Sequence, residues 1–113
     1  MKVVEKVWGT EQWLINTDKY CGKRMTLKKG MQCSLHYHTI KDETFYVLTG
    51  KIYFEMGVGD DTEAQILRPG DVVRIMPLTV HRFGGMEDST FIEISTHHDD
   101  ADVVRYVPSG PMP

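Results

Sequence analysis

The sequence predicts an all-β domain, folded as a sandwich or a small barrel. Short runs of alternating or β-branched residues recur along the chain, and glycine, aspartate and proline separate them. No stretch shows sustained helical periodicity with caps. The chain has 113 residues, which is the usual size of one domain. A closed barrel would also remove the exposed edges that so many strands present.

The individual strands follow from the positions of the turn residues. A glycine, a proline or an acidic loop ends almost every run. Residues 10–14 are the one segment whose pattern is also compatible with a short helix. The predicted strands are residues 25–27, 34–38, 45–48, 51–56, 64–67, 72–75, 81–83 and 90–95, with a further short edge at 103–107.

Composition excludes several classes of protein. Hydrophobic residues make up 41% and charged residues 26%, which is typical of a globular rather than a disordered chain. The formal net charge is -3 and no basic stripe occurs, so no nucleic-acid partner is expected. No apolar run approaches the roughly 20 residues of a membrane span, and the N-terminus lacks a signal-peptide pattern. We expect a cytoplasmic protein without a membrane partner, in which Cys21 and Cys33 are free thiols.

The stretch 30–50 carries the chemistry. In a strand, His36 and His38 point to the same face because they are two residues apart. A four-residue turn then brings the chain back at Glu43. A third imidazole, His81, follows a proline-containing turn. Two imidazoles and a carboxylate on a rigid sheet suit a divalent metal, so we predict metal ligation here.

The same residues resemble the first cupin motif. Every spacing of that motif is matched, at Gly30, His36, His38, Glu43 and Gly50. The second cupin motif is matched in part, since Gly70 and His81 keep the spacing and Leu78 stands where the family has glycine. The resemblance implies a single jelly-roll β-barrel, the cupin fold. It also implies a divalent metal (Zn, Mn, Fe, Ni or Co) inside one end of the barrel, held by His36, His38, Glu43 and His81.

A narrower resemblance covers nearly the whole chain. It is similar to the cupin domain of type II phosphomannose isomerases, with His36 where that family has glutamine. The matching segments are residues 8–9, 23–30, 34–38, 92–94 and 102–105. The resemblance implies a mannose-6-phosphate isomerase-like activity. It further implies that Arg105 lies near the mouth of the barrel and contacts a substrate oxygen or helps proton transfer.

These residues favour a metal-dependent isomerase or epimerase acting on a sugar or sugar phosphate. Glu93 is the candidate base if its strand face is the inner one, and Arg105 is the candidate anion-binding group. Of Lys23 and Arg24, at most one faces the cavity. Two alternatives stay open: an Fe(II)-dependent dioxygenase, and a non-catalytic module that binds a small ligand through its metal.

Three segments are expected along the chain. Residues 1–22 form an N-terminal arm that packs on the barrel or on a partner, residues 23–96 form the barrel core, and residues 97–113 form a C-terminal segment. A homodimer is expected, since small barrels often pair through an exposed strand edge and an aromatic arm.

Overall fold

A computed structural model describes residues 1–113, and nearly all of its regular structure is β. A 3-10 turn at Gly59–Asp61 interrupts the acidic loop. The strands are β1 (Lys2–Lys6), β2 (Gly9–Asn16), β3 (Cys21–Leu27), β4 (Met31–Gln32), β5 (Leu35–Tyr37), β6 (Glu43–Thr49), β7 (Ile52–Met56), β8 (Glu63–Leu67), β9 (Val72–Ile75), β10 (His81–Gly85), β11 (Ser89–Ser95), β12 (Val104–Val107) and β13 (Gly110–Pro111).

The strands form two antiparallel sheets that enclose the core. The first sheet has six strands in the order β1-β2-β3-β11-β6-β9. The second has the order β12-β5-β10-β4-β13, with β7 pairing both β10 and β8. This arrangement confirms the predicted all-β fold. The structure contains no helix with the length and apolarity that a membrane span requires.

An aromatic cluster joins the two sheets. Phe45 and Phe91 come from the first sheet, and their ring centroids lie 4.9 Å apart. Phe83 comes from the second sheet and lies 5.1 Å from Phe91 and 5.8 Å from Phe45. All three side chains are at most 4% exposed. Their burial stabilises the barrel by about 1.5–3 kcal/mol for each side chain.

The N-terminal segment contains regular structure that the sequence did not predict. A helix at residues 10–14 is wrong, because β2 pairs with β1 on one side and with β3 on the other. Trp8, between these two strands, is 4% exposed and packs edge-on against Phe83. Residues 1–22 therefore include two strands of the first sheet. The three-segment division and the homodimer stay predictions.

Two turns depend on left-handed backbone. Gly50 ends β6 with a φ of 90°, and a Cβ there would lie 2.5 Å from the carbonyl oxygen of Asp88. Leu78 has a φ of 68° in the turn before His81, the position at which the cupin motif has glycine. A leucine in this region is strained. Its amide nevertheless donates a hydrogen bond of 2.7 Å to the carbonyl oxygen of His38.

The interior of the barrel divides into an apolar end and a polar end. On β11, Phe91 lies inward among the aromatic rings, and Glu93 and Ser95 follow it on the same face. Glu93 is paired in register with Lys23 of β3. Ser95 is paired with Glu43 of β6. Charged side chains therefore replace apolar ones within two residues of strand length, and they line a cavity at this end.

Candidate metal centre

Three histidine rings converge in the polar end of the barrel. His36 lies on β5, His38 follows that strand, and His81 begins β10, where it pairs in register with His36. One nitrogen atom from each ring lies within 4.8 Å of the other two. His38 is 8% exposed and His81 is 1% exposed. The structure therefore brings together the three imidazoles that the sequence singled out.

Each ring is held by a backbone carbonyl. The Nδ1–H of His36 donates to Ser34 O at 2.7 Å, and the Nδ1–H of His81 donates to Thr79 O at 2.8 Å. The Nδ1–H of His38 donates to the carbonyl oxygen of Asp102 at 2.6 Å. Because a carbonyl can only accept, the proton of each neutral ring is on Nδ1. Every Nε2 lone pair is therefore free, as a metal ligand requires.

Glu43 completes the group from the first residue of β6. Its Oε2 lies 3.3 Å from Nε2 of His38 and 3.7 Å from Nε2 of His81. Both Glu43 Oε2 and His81 Nε2 are fully buried and have no hydrogen-bond partner. Such atoms are costly unless something satisfies them.

The protonation states agree with a ligand role for the histidines. Burial lowers the pKa of His36, His38 and His81 to about 4, so all three rings are neutral at pH 7. Burial, followed by the negative charge of Glu93, raises the pKa of Glu43 to about 8. Burial and the charge of Glu93 therefore outweigh the nearby Lys41 and Lys23, which act to lower this pKa.

A divalent cation fits this donor set. Three neutral imidazoles and one carboxylate are donors that Zn, Mn, Fe, Ni and Co accept. A cation would provide a partner for the two orphaned atoms and a positive charge beside Glu43. Protein groups alone leave Glu43 Oε2 and His81 Nε2 without a partner, so the fit rests on the geometry and not only on the residue types.

A second group of charges lies beside the histidines. Glu93 is 2% exposed, and its strand face is the inner one. Lys41 Nζ lies 2.7 Å from Glu93 Oε2 and 4.0 Å from Glu43 Oε1. The hydroxyl of Ser95 donates to the same Glu93 oxygen at 3.0 Å. Burial acts to raise the pKa of Glu93, but the charges of Lys41 and Lys23 outweigh it and lower the pKa below the ordinary value.

Lys23 is the member of the Lys23–Arg24 pair that faces the cavity. It is 1% exposed, and its Nζ lies 3.2 Å from Glu11 Oε1 and 4.3 Å from the ring centroid of Trp13. The indole N–H of Trp13 donates to the same Glu11 oxygen at 2.9 Å. Strand β2 therefore satisfies the buried ammonium of Lys23.

The mouth of the cavity is lined by the C-terminal segment. Arg105 lies on β12, is exposed, and is paired in register with His36. It lines the same cavity as the histidines and Glu93. No acidic side chain forms an ion pair with it. His98 lies nearby and accepts a hydrogen bond of 3.0 Å from Lys41 Nζ.

Sequence reasoning missed Lys41, Glu11 and His98. Lys41 lies in the turn between His38 and Glu43, where a polar residue is usually solvated, and nothing in the pattern shows that it turns inward. The pattern of residues 10–14 does not distinguish a strand from a short helix, so it does not show which way Glu11 points. Lys23 was open to prediction, since it alternates in phase with two apolar residues of its strand, Met25 and Leu27.

Comparison with known proteins identifies a family for most of the chain. The profile of the family described as Cupin domain matches residues 23–97. A D-lyxose/D-mannose isomerase from Thermosediminibacter oceani is 32% identical over 111 residues, covering 76% of this chain. The chain spans 61% of the length of that isomerase.

Solved structures share the fold at lower identity. The capsular polysaccharide assembling protein CapF from Staphylococcus aureus has a TM-score of 0.83 at 20% identity, covering 94% of this chain and 31% of that one. KdgF from Halomonas sp. has a TM-score of 0.78 at 20% identity, covering 89% and 90%. A variant of oxalate decarboxylase from Bacillus subtilis has a TM-score of 0.80 at 16% identity, covering 92% and 30%.

Proposed function

This chain belongs to the cupin domain family, and from that premise we propose that it is a metal-dependent isomerase or epimerase of a sugar or sugar phosphate. Its ligands for a divalent cation are His36, His38, Glu43 and His81. One observation supports isomerisation above the alternatives: Glu93, a buried carboxylate held ionised by Lys41, lines the same cavity as the histidines. The likeness to a D-lyxose/D-mannose isomerase agrees with this substrate class.

The reaction moves a proton between two adjacent carbons. A bound divalent cation would supply Lewis-acid polarisation of the sugar carbonyl. Glu93 accepts the proton from the carbon beside that carbonyl and returns it to the former carbonyl carbon. The hydroxyl proton of the first carbon passes to the former carbonyl oxygen, so that an aldose becomes a ketose. Lys41 and Ser95 both donate to Oε2 of Glu93, which leaves Oε1 to act as the base.

The remaining cations bind and orient the substrate. Arg105, at the mouth, has no acidic partner and retains its donors for a sugar oxygen or a phosphate. Lys23 is held by Glu11 and contributes a positive charge beside Glu93, which favours the ionised base. The aromatic rings below the charged layer close the inner end of the cavity, because Phe45 and Phe83 also line it.

The dioxygenase alternative has less support. Three histidines and one glutamate also suit an iron that binds oxygen. However, oxygen chemistry gives no role to a buried, ionised Glu93 with its own buried ammonium partner, whereas proton transfer does. A module that only binds a ligand catalyses no reaction, so it has no need of a base such as Glu93.

A metal-restored and a chelator-treated sample test this proposal. Both are incubated with D-mannose, D-lyxose and mannose 6-phosphate, and the sugars are followed by NMR. We expect ketose product only with metal, and at least a ~100-fold lower kcat in Glu93→Gln, since general acid–base catalysis contributes about that much or more. Glu55→Gln is the matched control, because Glu55 pairs with Arg82 outside the cavity.

Three results would contradict the proposal. Turnover that survives complete metal removal rules out the metal-dependent mechanism. Oxygen consumption with a substrate, in place of isomerisation, points to the dioxygenase. Tight sugar binding without turnover in any condition points to the binding module.

A further inference from the structure

Asp102 makes four hydrogen bonds to the turn that connects two of the proposed ligands. We call residues 39–41, which connect His38 to Glu43 through Asp42, the ligand turn. The carboxylate of Asp102 accepts from the backbone N–H of Thr39 at 2.7 Å and of Lys41 at 3.0 Å. Both of its oxygens accept from the N–H of Ile40, at 3.1 and 3.2 Å. One side chain therefore satisfies three successive amides of the ligand turn.

The backbone of the same residue contacts the metal centre directly. The carbonyl oxygen of Asp102 accepts the Nδ1–H of His38 at 2.6 Å. This bond places the ring proton on Nδ1 and directs Nε2 towards Glu43. Of the three carbonyls that hold the histidines, it is the one that comes from a distant part of the chain, since Ser34 and Thr79 each lie two residues from their own histidine.

The ligand turn also determines where Lys41 points. The amide of Lys41 is bound by Asp102, while its side chain runs inward to Glu93 at 2.7 Å. Two residues beyond Asp102, Val104 pairs with Tyr37, and Arg105 pairs with His36. The contacts of Asp102 therefore lie between the metal ligands, the candidate base and the mouth of the cavity.

We propose that Asp102 is a positioning residue of the metal centre, whose carboxylate holds the ligand turn while its carbonyl aims the His38 ring. The inference rests on the proposed metal binding by the four ligands. Loss of the carboxylate frees three amides and removes the side-chain contacts that hold residue 102 against the turn next to His38. The His38 ring would lose its orientation, although every ligand atom is still present.

A purely structural role makes a different prediction. Asp71 provides a comparison, because its carboxylate accepts the N–H of Arg68 at 2.7 Å in a turn outside the metal cavity. If Asp102 only stabilises its loop, Asp102→Ala and Asp71→Ala would behave alike towards metal. If Asp102 positions His38, only the former would change metal affinity.

The experiment measures Zn2+ affinity by competition with a chelator for the whole chain and for Asp102→Ala, Asp102→Asn and Asp71→Ala. Hydrogen exchange of the amides of residues 39–41 and the 15N shifts of the His38 ring are followed in the metal-free proteins. We expect Asp102→Ala to weaken Zn2+ binding by roughly 10–100-fold, with the stoichiometry unchanged. We also expect faster exchange in the ligand turn and a mixture of His38 tautomers. The Zn2+ affinity of Asp102→Asn, which keeps one acceptor oxygen, should lie between those of Asp102→Ala and the wild type.

The outcomes separate the two proposals. Wild-type affinity in both Asp102 variants, or an equal loss in Asp71→Ala, overturns the positioning role and leaves the proposed function standing. A wild-type chain that binds no Zn2+, Mn2+ or Fe2+ overturns the proposed function, and the positioning role with it. If Asp102→Ala does not fold, Asp102→Asn decides the matter by the same criteria.

Discussion

Lys41 Nζ lies 2.7 Å from Glu93 Oε2 in an ion pair whose side chains are at most 3% exposed. A pair buried to this extent is costly to form and more costly to break. Lys41 also lies 4.0 Å from Glu43, so one ammonium faces two buried carboxyl groups. The pair therefore links the stability of the fold to the chemistry of the site.

Removing this ammonium should destabilise the protein. We expect Lys41→Met to lower the free energy of unfolding by about 3–5 kcal/mol, because the buried, ionised carboxylate of Glu93 loses its cation. Urea unfolding of the metal-free protein measures the change. Arg74→Met is the matched control. Arg74 pairs with Asp42 at the surface, so its loss should lower the free energy of unfolding far less. A loss below about 1 kcal/mol in Lys41→Met would mean that the pair is not buried as described.

Removal of a proposed ligand should abolish metal retention. We expect His81→Gln to reduce metal affinity by more than the ~10–100-fold that an outer-shell substitution costs. Metal content after dialysis, measured by mass spectrometry, provides the test. His97→Gln is the control, because His97 is exposed and donates to Thr17 O away from the cavity. Equal metal content in both variants would contradict the assignment of His81.

The metal-free protein should be most stable near pH 6.5. The pKa of His36, His38 and His81 is lowered from 6.5 to about 4, so the unfolded chain binds more protons between these values. Stability from the histidines is complete above pH 6.5 and is lost as pH falls towards 4. The contribution of Glu43 to the pH dependence of stability has the opposite sign. Its pKa rises from 4.5 to about 8, so the stability that it contributes is lost as pH rises through that range.

Chelator-treated protein unfolded in urea from pH 4 to 8.5 tests this dependence. Three histidines outweigh one glutamate below pH 6.5, so stability should rise there and decline above it. Glu43→Gln should remove the decline at higher pH, and His36→Gln should reduce the slope on the acid side. A flat profile in the wild type would show that these groups do not titrate as described.

Replacing the strained Leu78 should stabilise the protein. Leu78 has a φ of 68° and a side chain that is 65% exposed, so its replacement loses little buried surface. Asparagine tolerates this backbone region better than leucine. We expect Leu78→Asn to raise the free energy of unfolding by about 1 kcal/mol. Leu14→Asn, at an exposed leucine on β2 without positive φ, should give no gain, and thermal unfolding compares the two.

The fold was predictable because its signals are local. Strand alternation and turn residues identify β6 to β11 closely, and the His-x-His spacing, followed by a tight return to Glu43, determines which side chains share a face. The same alternation predicts that Glu93 shares a face of β11 with Phe91, and the structure shows that this face is the inner one. The free, buried thiols of Cys21 and Cys33 also agree with the sequence.

What the sequence did not reveal depends on distant contacts. Lys41 turns inward because Asp102, far along the chain, binds the turn that contains it. Glu11 faces Lys23 because β2 joins the first sheet, and neither partner alone signals the pair. Strand β2 itself lacks strict alternation, so its pairing with β1 and β3, and not its own pattern, decides its conformation.

The change from aromatic rings to charges along the barrel interior has a consequence for adaptation. Phe45, Phe83 and Phe91 anchor the closed end, while Arg105 and Lys6 lie at the rim of the opening. Selection for a new ligand, in the laboratory or in nature, can therefore alter the rim while the anchor remains untouched. Libraries confined to the rim should yield folded proteins far more often than libraries aimed at the rings.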